Sequence, residues 1–411
     1  MTRATTVIIL TNAFPYQPGE HFFEAELAYW AAAEIKVIVA PLSATGASRP
    51  TPPQIQVDLR LARSMRGWRG CISHLRAVLS PLFWKEASSA WNLGQRHLGT
   101  YARCLRAAAK IILLKQGLHD LVSESGTNAV VYAYWHDVQA YAAALLKRER
   151  LITSVYSRAH GFDLYQERRP HCYMPFKRAF AKDVDTVFSV SEQGRSYLEH
   201  VYGIPPTQLE VSRLGVHVPP RMNMAAAGDT IHILSVASCT NVKRIDRTID
   251  ALADTKIEGK TILWTHIGDG PLLDQLIARA HEKLRPNGVD FNFMGAISNK
   301  EVQQYYDEQP IDFFINTSES EGIPVSIMEA MSHGIPVIAP AVGGVCELVN
   351  EEVGRLLSPQ PDAKEITLAI CWMSEFGRSP KIRLRARMAA ECNYSAQANY
   401  NAIINKIATR P

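Results

Sequence analysis

Two glutamates with seven residues between them, Glu321 and Glu329, stand on either side of a helix start within the stretch SESEGIPVSIMEAMSHGIPVIAPAVGGVCELV, residues 318–349. Gly322 precedes that start, Pro324 suits the first helical position, and Gly334 ends the run PVSIMEAMS. A helix start offers unpaired N–H groups and a positive dipole end to a phosphate. Carboxylates suit vicinal hydroxyls, because each accepts two hydrogen bonds. The spacing therefore fits a sugar on one side of a diphosphate and a ribose on the other. A second loop, Gly343-Gly344, leads to Glu347 and suits a close backbone approach.

The other chemistry-bearing residues fall just after apolar, β-branched runs. In open α/β sheets that is where ligands sit, beyond the carboxyl ends of strands. TNAFPYQPGE, with Gly19, follows the first such run, WHD (His136, Asp137) a later one, and RAHGFD (His160) the next. SCTNVKR, with Ser238, Lys243 and Arg244, opens the second half, and GDG, with Gly268, comes further on. His136 and Asp137 read as structural or acceptor-facing rather than as a catalytic dyad. Asp183-Val184-Asp185 imitates a DxD metal motif, but it precedes a strand-like run instead of following one, so no metal is assigned to it.

The elements that position these residues are legible as runs at βαβ spacing. TTVIIL, IKVIVA, AVVYAYW, ITSVYSRA and TVFSVS form one set; IHILSVA, TILWTHI, VDFNFMG, IDFFINT and PVIAP form another. Helical stretches between them predict an α/β protein with two doubly wound parallel sheets. Paired prolines in VHVPPRMNMAAAGD place a hinge in residues 216–229. The expected domains are 1–217 and 225–392, with a C-terminal helix over 393–411 packing back on the first. Residues 60–125 interrupt the strand rhythm with two expected helical stretches holding Trp68, Trp84 and Trp91, an elaboration expected to face an acceptor.

Composition agrees with two folded domains: 411 residues, 47% hydrophobic and 20% charged. The seven cysteines are scattered, with no CxxC pair, as expected for thiols in a reducing compartment. The N-terminal apolar run is too short for a signal peptide, and no stretch offers 18 apolar residues, so a cytoplasmic, non-spanning protein is expected. The net charge of +4 conceals an asymmetry: residues 60–115 carry eleven Lys or Arg and one acid, Glu86. Such a patch seeks phospholipid head groups, lipid-linked diphosphates or nucleic acid. No nucleic-acid-binding module accompanies it, so nucleic acid is set aside.

The 318–349 stretch resembles the signature of family 4 of the retaining GT-B glycosyltransferases (glycosyl transferases group 1), and the resemblance extends over most of the chain. Its other landmarks are the loop at Gly19, HGFD with His160, SRLGV with Gly215, Lys243, and IGDGP at 267–271 with Gly268. The resemblance implies two Rossmann-like domains facing each other across a cleft and a nucleotide-diphosphate sugar as donor. Glu329 would bind the ribose, Glu321 and His160 would contact the donor sugar, and Gly322, Ile323, Pro324, Val325 and Ser326 would cradle phosphate. The form EGIPVSIMEA is similar to enzymes of bacterial exopolysaccharide or lipopolysaccharide synthesis. Two departures stand out: Ser238 occupies the position of a family arginine, leaving Lys243 with Arg244 as the expected second charge, and Pro324 removes one N–H, for which Ser326 is the expected replacement.

With those groups neutralising the diphosphate, no metal or other cofactor is expected. The resemblance implies front-side attack, with the leaving phosphate taking the acceptor proton. The expected acceptor is a glycan or undecaprenyl-diphosphate-linked saccharide, and the basic segment is expected to rest on an anionic membrane surface. The alternatives are a GT-B epimerase or hydrolase, which would not need the basic segment, and a silent nucleotide-sugar-binding scaffold, which would not need Lys243, His160 and both glutamates. Nucleotide base, donor sugar and linkage position are not legible.

Overall fold

The structure is a computed structural model that describes residues 6–17, 20–65, 69–125 and 129–409. The chain divides into two compact units, Met1–Arg213 with Tyr400–Pro411, and Leu214–Asn399.

In the first unit, β1 (Thr6–Thr11), β2 (Lys36–Pro41), β3 (Ile55–Val57), β4 (Ala129–Ala133), β5 (Ser154–Ala159), β6 (Thr186–Ser189) and β7 (Leu209–Val211) form a parallel sheet. The strand order is β3-β2-β1-β4-β5-β6-β7. Its helices are α1 (His21–Ala32), α2 (Arg60–Ser64), α3 (Arg69–Leu79), α4 (Pro81–Asn92), α5 (Leu98–Ser125), α6 (Val138–Arg148) and α7 (Glu192–Tyr202). Side chains alternate between faces along a strand, so both faces must be apolar where helices cover both. Ile8, Leu10 and Val131 join Leu114 and Leu118 of α5 and Ala143 of α6 in one cluster. Val7, Ile9 and Val39 join Phe23, Leu27 and Trp30 of α1 in another, which also holds Ile403, Ile404 and Ile407.

The second unit repeats the plan with β8 (Thr230–Val236), β9 (Thr261–Ile267), β10 (Val289–Phe293), β11 (Phe313–Ile315), β12 (Val337–Pro340) and β13 (Gly354–Leu357), ordered β10-β9-β8-β11-β12-β13. Its helices are α8 (Ile245–Asp254), α9 (Leu273–Lys283), α10 (Asn299–Glu308), α11 (Val325–Ser332), α12 (Val345–Leu348), α13 (Ala363–Phe376) and α14 (Pro380–Tyr394). The last helix, α15 (Ala396–Ala408), supplies the three isoleucines above to the first unit. Strand order reverses between β1 and β4 and between β8 and β11, which puts a ligand-binding crevice at each of those strand ends.

Two expectations are corrected. The chain changes unit at Arg213–Leu214 rather than within 216–229. Val216 N–H donates to Tyr394 O at 2.8 Å and Asn223 N–H to His333 O at 2.8 Å, so the proline-rich stretch is bonded into the second unit. Residues 60–125 form four helices, not two: Ser80 caps α4 ahead of Pro81, and Gly94, at φ +79°, turns the chain before α5. The strands β3, β7 and β13, at three or four residues each, are too short to carry a periodic signal. Trp68 lies outside the described residues.

Candidate functional site

The β8/β11 crevice brings together residues 78 positions apart in the chain. After β8 the chain runs through Ser238, which is exposed, to a short 3-10 turn, Asn241–Lys243. Glu319 N–H donates to Val242 O at 2.8 Å and Thr317 Oγ1 to Arg244 O at 2.8 Å, tying this turn to the loop after β11. Across that junction Lys243 Nζ meets Glu321 Oε1 at 2.7 Å. Asn316 Nδ2 reaches the same carboxylate oxygen at 3.4 Å. The Glu321 side chain is 9% exposed, so the pair is mostly withdrawn from water.

Glycines let these loops approach. Gly343 has φ +55°, and a methyl group there would meet Glu321 O at 2.0 Å. Gly344 N–H donates to Gly322 O at 2.7 Å. The double glycine thus clamps the Glu321–Gly322 backbone. Gly268, at φ +149°, lets the loop after β9 lie on the one after β8; a methyl would meet Ala237 O at 1.9 Å.

Helix α11 begins one residue later than expected. Pro324, at ψ 114°, is its N-cap, and Ile327 N–H donates to Pro324 O at 3.2 Å. Ile323 is buried, while the first helical residues, Val325 and Ser326, keep backbone N–H groups with no partner among the described residues. Proline here sacrifices none of the donors that the first turn presents. One turn inside, Glu329 Oε1 accepts from Asn299 Nδ2 and Gln303 Nε2 of α10, both at 3.0 Å. Burial pushes the Glu329 carboxyl up to about 7, with the Asn299 hydrogen bond opposing.

The structure does not bring Arg244 to this group. Arg244 occupies a left-handed position at φ 49°, and its guanidinium is held by Asp246 at 3.0 and 3.2 Å. It lines a cavity of about 490 Å³ with Asn241, Gln275, Arg279 and Glu319, and neither Lys243, Glu321 nor Glu329 belongs to that lining.

The first unit has its own cluster at the β1/β4 and β5 strand ends. Gly19 lies outside the described residues, but its neighbour Glu20 accepts from the backbone N–H groups of Asn12, Ala13 and Phe14 at 2.5, 3.0 and 2.7 Å. Trp135 Nε1 adds a fourth donor at 2.9 Å. A carboxylate of the chain itself thus fills the anion nest after β1. Asp163 does a similar job between two loops, accepting from His136 N–H at 2.7 Å and His160 N–H at 2.6 Å. Lys177 Nζ donates to the His136 and Asp163 carbonyls. Beneath them Arg158 and Glu26 form a fully buried pair at 2.7 Å.

His160 is held by its backbone only. Its ring lies among Trp135, Tyr134 and Phe22, with centroids 4.7, 5.1 and 5.5 Å away, and neither ring nitrogen has a hydrogen-bond partner. Burial, with Arg158 nearby, lowers its pKa well below the ordinary value, so the ring is neutral and offers one donor and one acceptor. His136 Nδ1 bonds Ser157 Oγ at 2.8 Å while its Nε2 is buried without a partner among the described residues, and Asp137 caps α6 through Val138 N–H at 2.9 Å. Asp183 and Asp185 are engaged by Arg148 and Lys147 at 2.7 and 2.5 Å.

Sequence reasoning missed Glu20, Glu26, Asp163, Asn299 and Gln303 as partners. Asp163 sits inside the HGFD motif and Glu20 directly follows the glycine loop, so position offered a signal for both. Nothing local marks the other three.

Comparisons place this geometry among known proteins. Residues 222–390 match the family model of glycosyl transferases group 1. The amylovoran biosynthesis glycosyltransferase AmsK of Erwinia amylovora is 29% identical over 49% of this chain and 51% of its own length. The putative colanic acid biosynthesis glycosyltransferase WcaL of Salmonella typhimurium is 26% identical over 67% of this chain and 70% of its own. The chain thus spans between about half and about two thirds of these relatives. Anabaena HepE, solved with UDP and glucose, is 15% identical and superposes with a TM-score of 0.66 over 98% of this chain and 99% of its own. With the switch-point loops, their glutamates and two parallel sheets in place, residues 222–390 constitute a glycosyl transferases group 1 domain in a chain of GT-B glycosyltransferase fold.

Proposed function

We propose that the chain is a retaining, metal-independent glycosyltransferase. It moves a sugar from a nucleotide-diphosphate donor to a glycan or undecaprenyl-diphosphate-linked saccharide in bacterial surface polysaccharide assembly. The observation that carries this reading is the Lys243–Glu321 pair at the β8/β11 switch point, 2.7 Å across, in the loop leading to the α11 start and Glu329. An arriving diphosphate takes the Lys243 ammonium and the Val325 and Ser326 N–H groups, which releases Glu321 to accept from sugar hydroxyls. Glu329 accepts from the ribose. As the anomeric carbon–phosphate oxygen bond breaks, the acceptor oxygen attacks from the same face, and its proton passes to the leaving phosphate. Preorganised donors aimed at the departing charge supply the stabilisation a metal would otherwise give. His160, neutral, with both ring nitrogens unpaired but shut from solvent, meets a substrate hydroxyl only once the aromatic rings around it move aside.

The names of AmsK and WcaL support polysaccharide synthesis as the setting, and the UDP in HepE supports a nucleotide donor. Peripheral attachment to the cytoplasmic face of an anionic membrane is supported by α3 and α4. Leu75, Leu79, Trp84 and Trp91 are 56–76% exposed there, next to Arg76 and Lys85, which form no ion pair among the described residues. No helix among the described residues is long and apolar enough to cross a membrane.

The test is a panel of UDP-, GDP- and ADP-sugars read by thermal shift, since a ligand of the native state raises Tm. NMR of the transfer product follows, with and without EDTA. One sugar nucleotide is expected to stabilise the protein, the product to keep the donor's anomeric configuration, and EDTA to leave the rate unchanged. An inverted product would overturn retention, a strict need for Mg²⁺ would overturn the leaving-group chemistry, and a panel without any stabilisation would overturn the donor class.

A further inference from the structure

Arg103, on the second turn of α5, is a cation without a counterion. Its Nε and one Nη are shut from solvent with no hydrogen-bond partner, and no carboxylate among the described residues pairs with it. Its neighbours are cations too. Burial, with Arg106 and Arg169 beside it, pulls its pKa below the ordinary value. His97, just before α5, stacks on His171 with ring centroids 4.4 Å apart and planes 18° from parallel. His171 holds a left-handed backbone at φ 60°, and a methyl on Gly99 would meet its Nε2 at 2.9 Å, so the 170–172 loop is pressed onto the first turn of α5. Desolvation, His97 and Arg103 together lower the His171 pKa.

Three guanidinium groups gathered with no acid paired to Arg103 among the described residues repel one another, and its buried N–H donors left unpaired add a desolvation cost. An anion of more than one charge offsets the repulsion, and guanidinium forks match phosphate oxygens. The cluster also has an address. Arg169 Nη2 donates to Phe162 O at 2.7 Å and the guanidinium lies 3.4 Å over the Phe162 ring, two residues beyond His160. On its other flank Leu98 is 86% exposed, and Arg96 covers Trp91 at 3.8 Å.

We propose that Arg103, Arg169 and the His97–His171 pair form a diphosphate site in the first unit, and that it anchors the phosphate of a lipid-linked acceptor. The saccharide then extends past Phe162 toward His160, and the lipid leaves over Leu98 and Trp91. Only the ownership of the phosphate rests on the glycosyltransferase reading; the anion site itself does not.

Inorganic pyrophosphate is the probe, titrated calorimetrically into the full chain carrying Lys243→Ala, which disables the second-unit phosphate site. Binding is expected to persist in that background and to weaken about tenfold or more when Arg103→Gln or Arg169→Gln is added. Arg169 is only half-buried, so its variant tests the site even if Arg103→Gln disturbs folding. Unchanged binding in a folded Arg169→Gln or Arg103→Gln protein would overturn the site. Steady-state kinetics in the otherwise wild-type chain assign the owner: Arg103→Gln should raise KM for a diphosphate-lipid acceptor and leave the donor KM alone. A rise confined to the donor KM would overturn the acceptor assignment while leaving the glycosyltransferase reading intact.

Discussion

Lys243 and Glu321 neutralise each other at 2.7 Å before any ligand arrives, so each side chain has two jobs. Removing one partner of a mostly buried pair strands the other, which costs stability as well as function. Lys243→Ala is therefore expected to lose roughly one to two decades in donor use, from a charge-assisted hydrogen bond of about 1.5–3 kcal/mol. It should also lower Tm, and adding Glu321→Gln should restore part of that loss; thermal unfolding of the three variants checks it, and additive losses would refute the coupling. Glu329 carries a different strain. Its carboxyl pKa is raised from the usual 4.5 to about 7, so the native state holds a proton that the unfolded chain releases. Stability from this group is present below about pH 4.5 and is lost as pH rises through about 7, on the order of 3 kcal/mol in full. Glu329→Gln is expected to raise the Tm of the ligand-free protein at pH 8, to change little at pH 5, and to weaken nucleotide binding at both. A Tm difference independent of pH would show that the carboxylate is not under this strain.

At the scale of elements, function sits where short connections meet. The Gly343–Gly344 turn, the Lys243 turn and the α11 start converge because the β8/β11 crossover brings loops from distant parts of the chain to one sheet edge. The helices α2 to α5 follow another logic. Several of their basic residues are spent inside the unit, as Arg60 is on Asp58 and Glu124 and Lys115 is on Glu149. The only acid of residues 60–115, Glu86, is buried and accepts from Tyr173 Oη and Phe176 N–H at 2.6 and 2.7 Å. Arg63 and Arg76 remain without ion pairs among the described residues. Serines in place of Arg63, Arg76, Trp84 and Trp91 should weaken sedimentation with anionic liposomes roughly tenfold or more at low salt, at about 1 kcal/mol per basic residue. High salt should release the wild type, because screening shortens the reach of these charges. Indifference of the wild type to anionic vesicles at low salt would remove the membrane from the account.

Across the whole molecule, the chain leaves the first unit at Arg213 and returns at Tyr400. Ile403, Ile404 and Ile407 of α15 are 0–4% exposed against β1, β2 and α1, so the first unit is finished by the last residues of the chain. A chain ending at Asn399 strips three buried isoleucines from that face, at about 1.5–3 kcal/mol each. Limited proteolysis is expected to open the first unit of this truncated chain before the second. Equal protection of both units would mean that α15 adds nothing to the first core.

Sequence alone determined the two-sheet architecture and the helix start between Glu321 and Glu329, because both are encoded locally. Fully buried parallel strands demand continuous apolar runs such as TVIIL and HILSV, and the helix start after Gly322 and Pro324, with a carboxylate on either side, is written in one continuous stretch of sequence. Tertiary structure decided which of those residues share a contact. Arg244 neighbours Lys243 in sequence yet turns to Asp246, because the left-handed backbone between them sends their side chains apart. Glu321, 78 positions away, becomes the lysine's partner because the crossover places β8 beside β11. Burial was decided there too: the unpaired ring nitrogens of His160, the raised carboxyl of Glu329 and the unpaired Arg103 each depend on what the rest of the chain stacks around them, which neighbours in sequence do not specify.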